Sequence, residues 1–251
     1  MSGETAWYLG VGRDEVADRA ILVGDPGRVD LFAERLTNVT ANGGDRALRT
    51  VTGNFRDRRV TVCSFGMGAP IAVVVLEELA GLGVRTVLRA GTMMSLGEVP
   101  LGTLVLADAA LRGEATSATY LPPDGPAHAD GALTDCLAHV LTESGAPYRR
   151  GLVASYDGFY SQLFAIHEDR RGRIEALADE LRHRGVIAAD METSALLAVA
   201  PLLGVRAASL CLASVDGPTQ RRLDPKRRDE DERRLVEVAL EAIHRFEKEE
   251  P

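Results

Sequence analysis

Three junctions in this 251-residue chain put chemically capable residues at the end of an apolar run. Ala20-Ile21-Leu22-Val23 leads into Gly24-Asp25-Pro26-Gly27-Arg28, and Val84-Arg85-Thr86-Val87-Leu88 leads into Arg89-Ala90-Gly91-Thr92. Glycine lets backbone N–H groups come close to a ligand, and the planar guanidinium offers forked donors that match phosphate. The third junction, Val186-Ile187-Ala188-Ala189 into Asp190-Met191-Glu192, supplies carboxylates instead. Cations for an oxyanion and acids for hydroxyl groups, each at a strand end, imply a small-molecule site.

Such junctions need strands to carry them. Runs of strand character cover 20–24, 48–55, 59–65, 84–89, 103–109, 151–156, 186–190 and 206–214, with a hairpin across Arg56-Asp57-Arg58. Between them lie helical patterns at Val29 to Leu36, from Pro70 to about Gly81, and over 132–144, 168–184 and 193–203. A last helix starts at Asp224-Pro225, an N-cap followed by proline, and carries the stripe Leu235, Val238, Ala239, Ala242 and Phe246. Residues 113–131, with Pro122-Pro123 and Gly125-Pro126, read as irregular. This alternation predicts a single α/β domain over 1–251, a three-layer α/β/α sandwich around a mixed central sheet.

A net charge of −8 argues against a nucleic-acid surface. The richest basic stretch, Arg221 to Arg234, is interleaved with Asp224, Asp229, Glu230, Asp231 and Glu232 and reads as a solvated helix face. Cys63, Cys136 and Cys211 are far apart, lie in apolar stretches and lack metal-ligand spacing, so they read as reduced and structural. No leader and no apolar run of bilayer length is evident, and the expected compartment is the cytoplasm. The five histidines offer no obvious base.

With these motifs in register from about Tyr8 to the final helix, the chain resembles the nucleoside phosphorylase family of the purine and uridine phosphorylase type. Gly24-Asp25-Pro26-Gly27-Arg28 is similar to its first phosphate loop, and Ser64-Phe65-Gly66-Met67-Gly68-Ala69-Pro70 to its glycine turn before a helix. Arg89-Ala90-Gly91-Thr92 resembles the second phosphate motif, Phe159-Tyr160 the base-stacking pair, and Asp190-Met191-Glu192-Thr193-Ser194-Ala195 the ribose motif.

The resemblance implies a reaction in which nucleoside and inorganic phosphate give free base and ribose 1-phosphate, with no cofactor beyond phosphate as co-substrate. It implies that the Gly24 N–H, Arg28, Arg89 and Thr92 hold phosphate, so that Arg28 and Arg89 face one anion, with Arg46 completing the cluster from a neighbouring subunit. Glu192 would accept from the ribose hydroxyls and Met191 would pack beneath the sugar. Tyr8 stands where most members place a histidine for the neighbour's 5′-hydroxyl. A homo-oligomer follows, a dimer at least and a hexamer by preference, with nucleoside and phosphate as the partners.

Each residue also has a plainer reading. Arg28 could close a helix onto a surface carboxylate, and Arg89 could meet an internal acid. Arg46 has Arg49 close by, Glu192 could be a first-turn acid, and Phe159 and Tyr160 could be core aromatics. Asp216, in Ala213-Ser214-Val215-Asp216, lies near the place of the acid that protonates a purine N7, yet Asp216-Gly217-Pro218 is also an ordinary turn sequence.

Departures from the family pattern bear on the base. Leu163 and Ala165 stand where the uridine enzymes carry glutamine and arginine, with Gln162 one residue away. Met93-Met94-Ser95 replaces smaller residues. The loss of that glutamine–arginine pair, together with Asp216, favours a purine nucleoside, with uridine as the alternative. A nucleosidase that uses water is disfavoured by Arg28 and Arg89. A non-catalytic nucleoside-binding protein is a further possibility, and a dinucleotide-dependent oxidoreductase lacks its glycine fingerprint.

Overall fold

A computed structural model describes residues 5–43 and 48–246. Its centre is a sheet of ten strands, β1 (Arg19–Val23), β2 (Thr37–Gly43), β3 (Arg49–Phe55), β4 (Arg58–Ser64), β5 (Thr86–Ser95), β6 (Leu104–Gly113), β7 (Ala127–His128), β8 (Tyr148–Tyr156), β9 (Val186–Asp190) and β10 (Arg206–Asp216). β1 is buried at every residue and lies parallel between β4 and β5, as expected of a continuous apolar run with both faces covered. From β4 the sheet continues outward through β3 to β2 by antiparallel pairing.

On the other side the sheet closes on itself. β5 pairs with β10, β10 with β6, β6 with β8, β8 with β9, and β9 returns to β5. Parallel and antiparallel pairings are mixed around this ring. The three-layer arrangement predicted from the sequence is present, with part of its middle layer curled into a closed strand circuit.

Helices α1 (Pro26–Ala33), α2 (Ala69–Gly81), α3 (Gly131–Ser144), α4 (Glu168–His183), α5 (Thr193–Val199) and α6 (Pro225–Arg245) cover the faces. Val75, Leu76 and Leu79 of α2 and Leu196, Leu197 and Val199 of α5 pack with Val87 and Met93 of β5. On the opposite face Val29 and Phe32 of α1, Leu137 and Leu141 of α3, and Leu235, Ala239 and Ile243 of α6 pack with Leu88 and Ala90. Each such side chain contributes about 1.5–3 kcal/mol on burial. Side chains alternate along a strand, so Arg89 and Gly91 share the α2/α5 face with Val87 and Met93.

The differences from the sequence reading are local. α1 begins at Pro26 rather than Val29, because Asp25 caps it by accepting from the Gly27 N–H at 2.9 Å. β2 has the polar sequence Thr-Asn-Val-Thr-Ala-Asn-Gly and carries no strand signal. β5 runs on to Ser95 and β10 to Asp216. The helix expected over 193–203 divides into α5 and a 3-10 turn at Ala200–Leu203 that contains Pro201. The irregular stretch holds a 3-10 turn at Ser117–Thr119 and the two-residue β7. No helix among the described residues is long and apolar enough to cross a membrane.

Candidate active site

β5 and β9 end side by side, since Met94 pairs with Ala189 and Ser95 with Ala188. That pairing brings the cation of the second junction to the acids of the third. The Arg89 guanidinium, 4% exposed, donates from Nη2 to Glu192 Oε2 at 2.5 Å and lies 3.0 Å from Asp190 Oδ2. Its Nη1 donates to the Cys211 thiol at 2.7 Å. The side chain folds back over Gly91, where a Cβ would fall 1.6 Å from Nη1, so any larger residue there would force the Arg89 guanidinium to move. Glu192 also accepts from the Gly68 N–H at 2.6 Å, at the start of α2, where Gly68 has φ 101°. The Gly66-Met67-Gly68 turn thus delivers a backbone donor to the same carboxylate.

Asp190 holds this arrangement from below. Its carboxylate accepts from Ser155 Oγ and Thr193 Oγ1, each at 2.5 Å, and from the backbone N–H groups of Glu192 and Thr193. Thr193 Oγ1 lies 3.0 Å from Ser209 Oγ, tying β8, β9 and β10 together beneath the site. Burial pushes the Glu192 carboxyl above its ordinary value, with the Arg89 charge pulling it down and Asp190 pushing it further up. Burial opposes charge on Arg89, but Cys211, Asp190 and Glu192 together carry its pKa upward. Burial likewise raises the Cys211 thiol.

The first junction is built differently. Arg28, 3% exposed, donates from Nη2 to Glu232 Oε1 of α6 at 3.0 Å and from Nη1 to the Ala90 carbonyl at 3.3 Å. Its Nε, also buried, has no partner. The two guanidinium groups therefore have separate partners, although Arg28 reaches the residue directly after Arg89. Gly24 is partly exposed, and its carbonyl accepts from the Gly66 N–H at 3.0 Å. Thr92 is partly exposed on β5. Arg46 lies outside the described residues.

On the base side, Phe159 and Tyr160 sit edge to face, with centroids 5.1 Å apart, in a short wide helical turn at Phe159–Leu163. Phe159 stacks instead on Phe164, at 5.6 Å and 8° between planes. Tyr160 is 46% exposed, and Met191 is partly exposed beside Glu192. Leu163 and Ala165 are buried. A cavity of about 250 Å³ opens beside them, lined by Met94, Leu163, Gly217 and Gln220 among others. A larger hollow, about 610 Å³, lies between α3 and α6 and contains none of the candidate residues. Asp216 is turned into a local loop. Its Oδ2 accepts from the Thr219 N–H at 3.0 Å and from the Thr219 hydroxyl. The Tyr8 N–H donates to Glu78 Oε1 at 2.8 Å, which fastens the N-terminal segment to α2.

Two neighbours of the candidate residues escape the sequence reading. Glu232, expected on a solvated face, is only 8% exposed, and Asp231 only 4%. The signal lay in spacing, because both fall one turn before Leu235 on the apolar stripe of α6. Cys211, read as structural, touches the site cation through its thiol.

The phosphorylase superfamily model matches residues 18–246. The uridine phosphorylase of Salmonella typhimurium is 29% identical over 252 residues, covering 98% of this chain and all of the relative. That of Thermococcus kodakarensis is 32% identical over 213 residues, 82% of this chain and 75% of the relative. A guanosine phosphorylase from Halorubrum lacusprofundi is 29% identical over 94% of this chain and 97% of its own length. The crystal structure of a Vibrio fischeri uridine phosphorylase, complexed with 6-hydroxy-1-naphthoic acid, superposes with a TM-score of 0.87 at 30% identity, covering 98% of each chain. With the buried strand cation, its paired acids and the glycine turn all on one frame, the chain belongs to the phosphorylase superfamily and is a nucleoside phosphorylase.

Proposed function

We propose that the nucleoside is uridine, cleaved by phosphate to uracil and ribose 1-phosphate. The purine preference expected from the sequence is not supported. The relatives named above are mostly uridine phosphorylases, with one guanosine phosphorylase among them. Asp216, the residue on which the purine reading leaned, spends its carboxylate on Thr219. The buried, apolar Leu163 and Ala165 mean that any reading of the uracil edge comes from other groups.

The observation that carries the reading is the contact of Arg89 with Glu192 at 2.5 Å. One is the residue proposed for phosphate and the other the residue proposed for ribose, so their ligands would be neighbours. Phosphate takes the place of Glu192 on Arg89, aided by Arg28, Thr92 and the Gly24 N–H. The released carboxylate then accepts from the ribose 2′- and 3′-hydroxyls. A phosphate oxygen forms the bond to C1′ as the C1′–N1 bond breaks, and its electron pair leaves with uracil, which takes up a proton. Glu192 steadies the positive charge that develops on the sugar, a preorganised interaction of the kind commonly worth about 10²–10³ in rate per group.

Tyr8 and Arg46 are proposed to act in a neighbouring subunit's site, within a dimer or a hexamer of three dimers. Trp7, 85% exposed and stacked on Tyr8 at 5.7 Å, supports an association surface beside Tyr8. The test is base release from uridine, inosine and guanosine with and without phosphate. Phosphate-dependent release of uracil exceeding that of the purines is expected; faster purine release restores the purine reading.

A further inference from the structure

The first junction contains a charge arrangement that the reaction above leaves unused. Glu232 Oε1 accepts from Arg28 Nη2 at 3.0 Å and from Arg228 Nε at 3.0 Å, so one oxygen atom serves two cations. Arg28 and Glu232 are buried, whereas the Arg228 side chain is 46% exposed. Of these three bonded groups, one positive charge is in excess, and the buried Arg28 Nε has no partner. A buried guanidinium with a single carboxylate of its own would be neutralised where it stands. Sharing that carboxylate with a second arginine leaves Arg28 held in place yet incompletely satisfied. A carboxylate at the base of a substrate-binding guanidinium fixes its rotamer, as supporting groups do for metal ligands and catalytic donors.

We propose that Glu232 is a positioning residue for phosphate, bracing Arg28 from α6, and that Arg228 keeps the brace from quenching the Arg28 charge. The proposal rests on the phosphorolysis reading, in which Arg28 binds phosphate. Glu232 touches neither phosphate nor nucleoside; it acts through Arg28. α6 thereby becomes part of the phosphate site, although it lies on the face of the sheet opposite α2 and α5.

The experiment uses the full chain with three substitutions, Glu232→Ala, Glu232→Gln and Arg228→Met. It reads KM for phosphate and for uridine separately, the Kd of inorganic phosphate by calorimetry, and thermal unfolding. Losing a charge-assisted brace predicts a rise of at least about tenfold in phosphate KM and Kd for Glu232→Ala, with uridine KM within about twofold. Glu232→Gln retains an oxygen at the same place and is expected to recover phosphate KM to within about threefold of the parent, a rescue that reads geometry rather than fold. Arg228→Met, at a half-exposed pair, is expected to raise phosphate KM by only about threefold.

Equal movement of both KM values, or an unmoved phosphate KM in Glu232→Ala, overturns the proposal, as does a Gln variant no better than Ala. Should Glu232→Ala fail to fold, Glu232→Asp withdraws the oxygen from Arg28 while keeping the charge; unchanged phosphate affinity there overturns the brace. Base release independent of phosphate in the parent protein would break the phosphorolysis reading instead, and calorimetry with inorganic phosphate still reads the role of Glu232.

Discussion

The segment after β1 and the middle of β5 each present a buried arginine, and they solve the cost of burying it in opposite ways. At β5, Arg89 faces two acids, Glu192 and Asp190, so negative charge is in excess. At β1, Arg28 shares the single acid Glu232 with Arg228, so positive charge is in excess. A surplus of carboxylate suits hydroxyl donors and a sugar becoming cationic, whereas a surplus of guanidinium suits an oxyanion. Two junctions that look alike as sequence, an apolar run ending in glycine and arginine, thus differ in the sign of the charge left over, and in the proposed reaction phosphate would bridge them.

The contrast is open to direct attack. The largest effect belongs to Arg89→Ala, which is expected to lower turnover by at least about 10²–10³-fold and to destabilise the fold by about 3–5 kcal/mol, since two buried carboxylates lose their partner. Base release and thermal unfolding check both, and an unchanged melting temperature would break the picture of Arg89 as the partner of two acids. Arg28→Ala should raise phosphate KM by about tenfold or more with a much smaller loss of stability, because Arg228 stays on Glu232. A loss of stability as large as that of Arg89→Ala would erase the distinction.

Acidity gives a finer comparison. In the proposed reaction Glu192 acts as a carboxylate, and burial raises its pKa from the ordinary 4.5, so protonation begins at a higher pH than usual. Activity should therefore fall as the pH falls, with the acidic limb of kcat/KM for uridine centred above 4.5. A limb at or below that value would mean that the Arg89 charge outweighs burial. The smallest effect is expected of Asp216→Asn, within about threefold in uridine turnover, because the carboxylate serves a turn. A loss of about 10²-fold or more would reinstate it as a general acid.

Much of this frame is legible in the sequence for physical reasons. β1 is a continuous apolar run because both faces are covered, and α2 and α6 begin near prolines that suit a first turn. Arg28, Arg89 and Glu192 stand out because a charge directly after such a run must find a partner. β2 is illegible, as its Thr-Asn-Val-Thr-Ala-Asn-Gly sequence has neither alternation nor an apolar run. The pairing of Arg28 with Glu232 spans 204 residues and follows from the packing of α6 against α1, which no local pattern encodes. The same holds for Cys211 and Arg89, 122 residues apart and joined through the parallel register of β10 on β5.

The closed circuit of β5, β10, β6, β8 and β9 separates the two arginines in one further respect. Arg89 lies on β5 and Glu192 follows the end of β9 by two residues, and these two strands lead back to each other through the circuit, so the backbone under the pair is held from both sides. Arg28 follows β1, on the arm that runs out through β4 and β3 to β2. Amide hydrogens of the circuit should therefore exchange with solvent water only when the whole molecule opens, while those of β2 and β3 exchange through local fraying. The Arg89–Glu192 side of the candidate site is clamped by the strand circuit, and the Arg28 side is left to side-chain bracing.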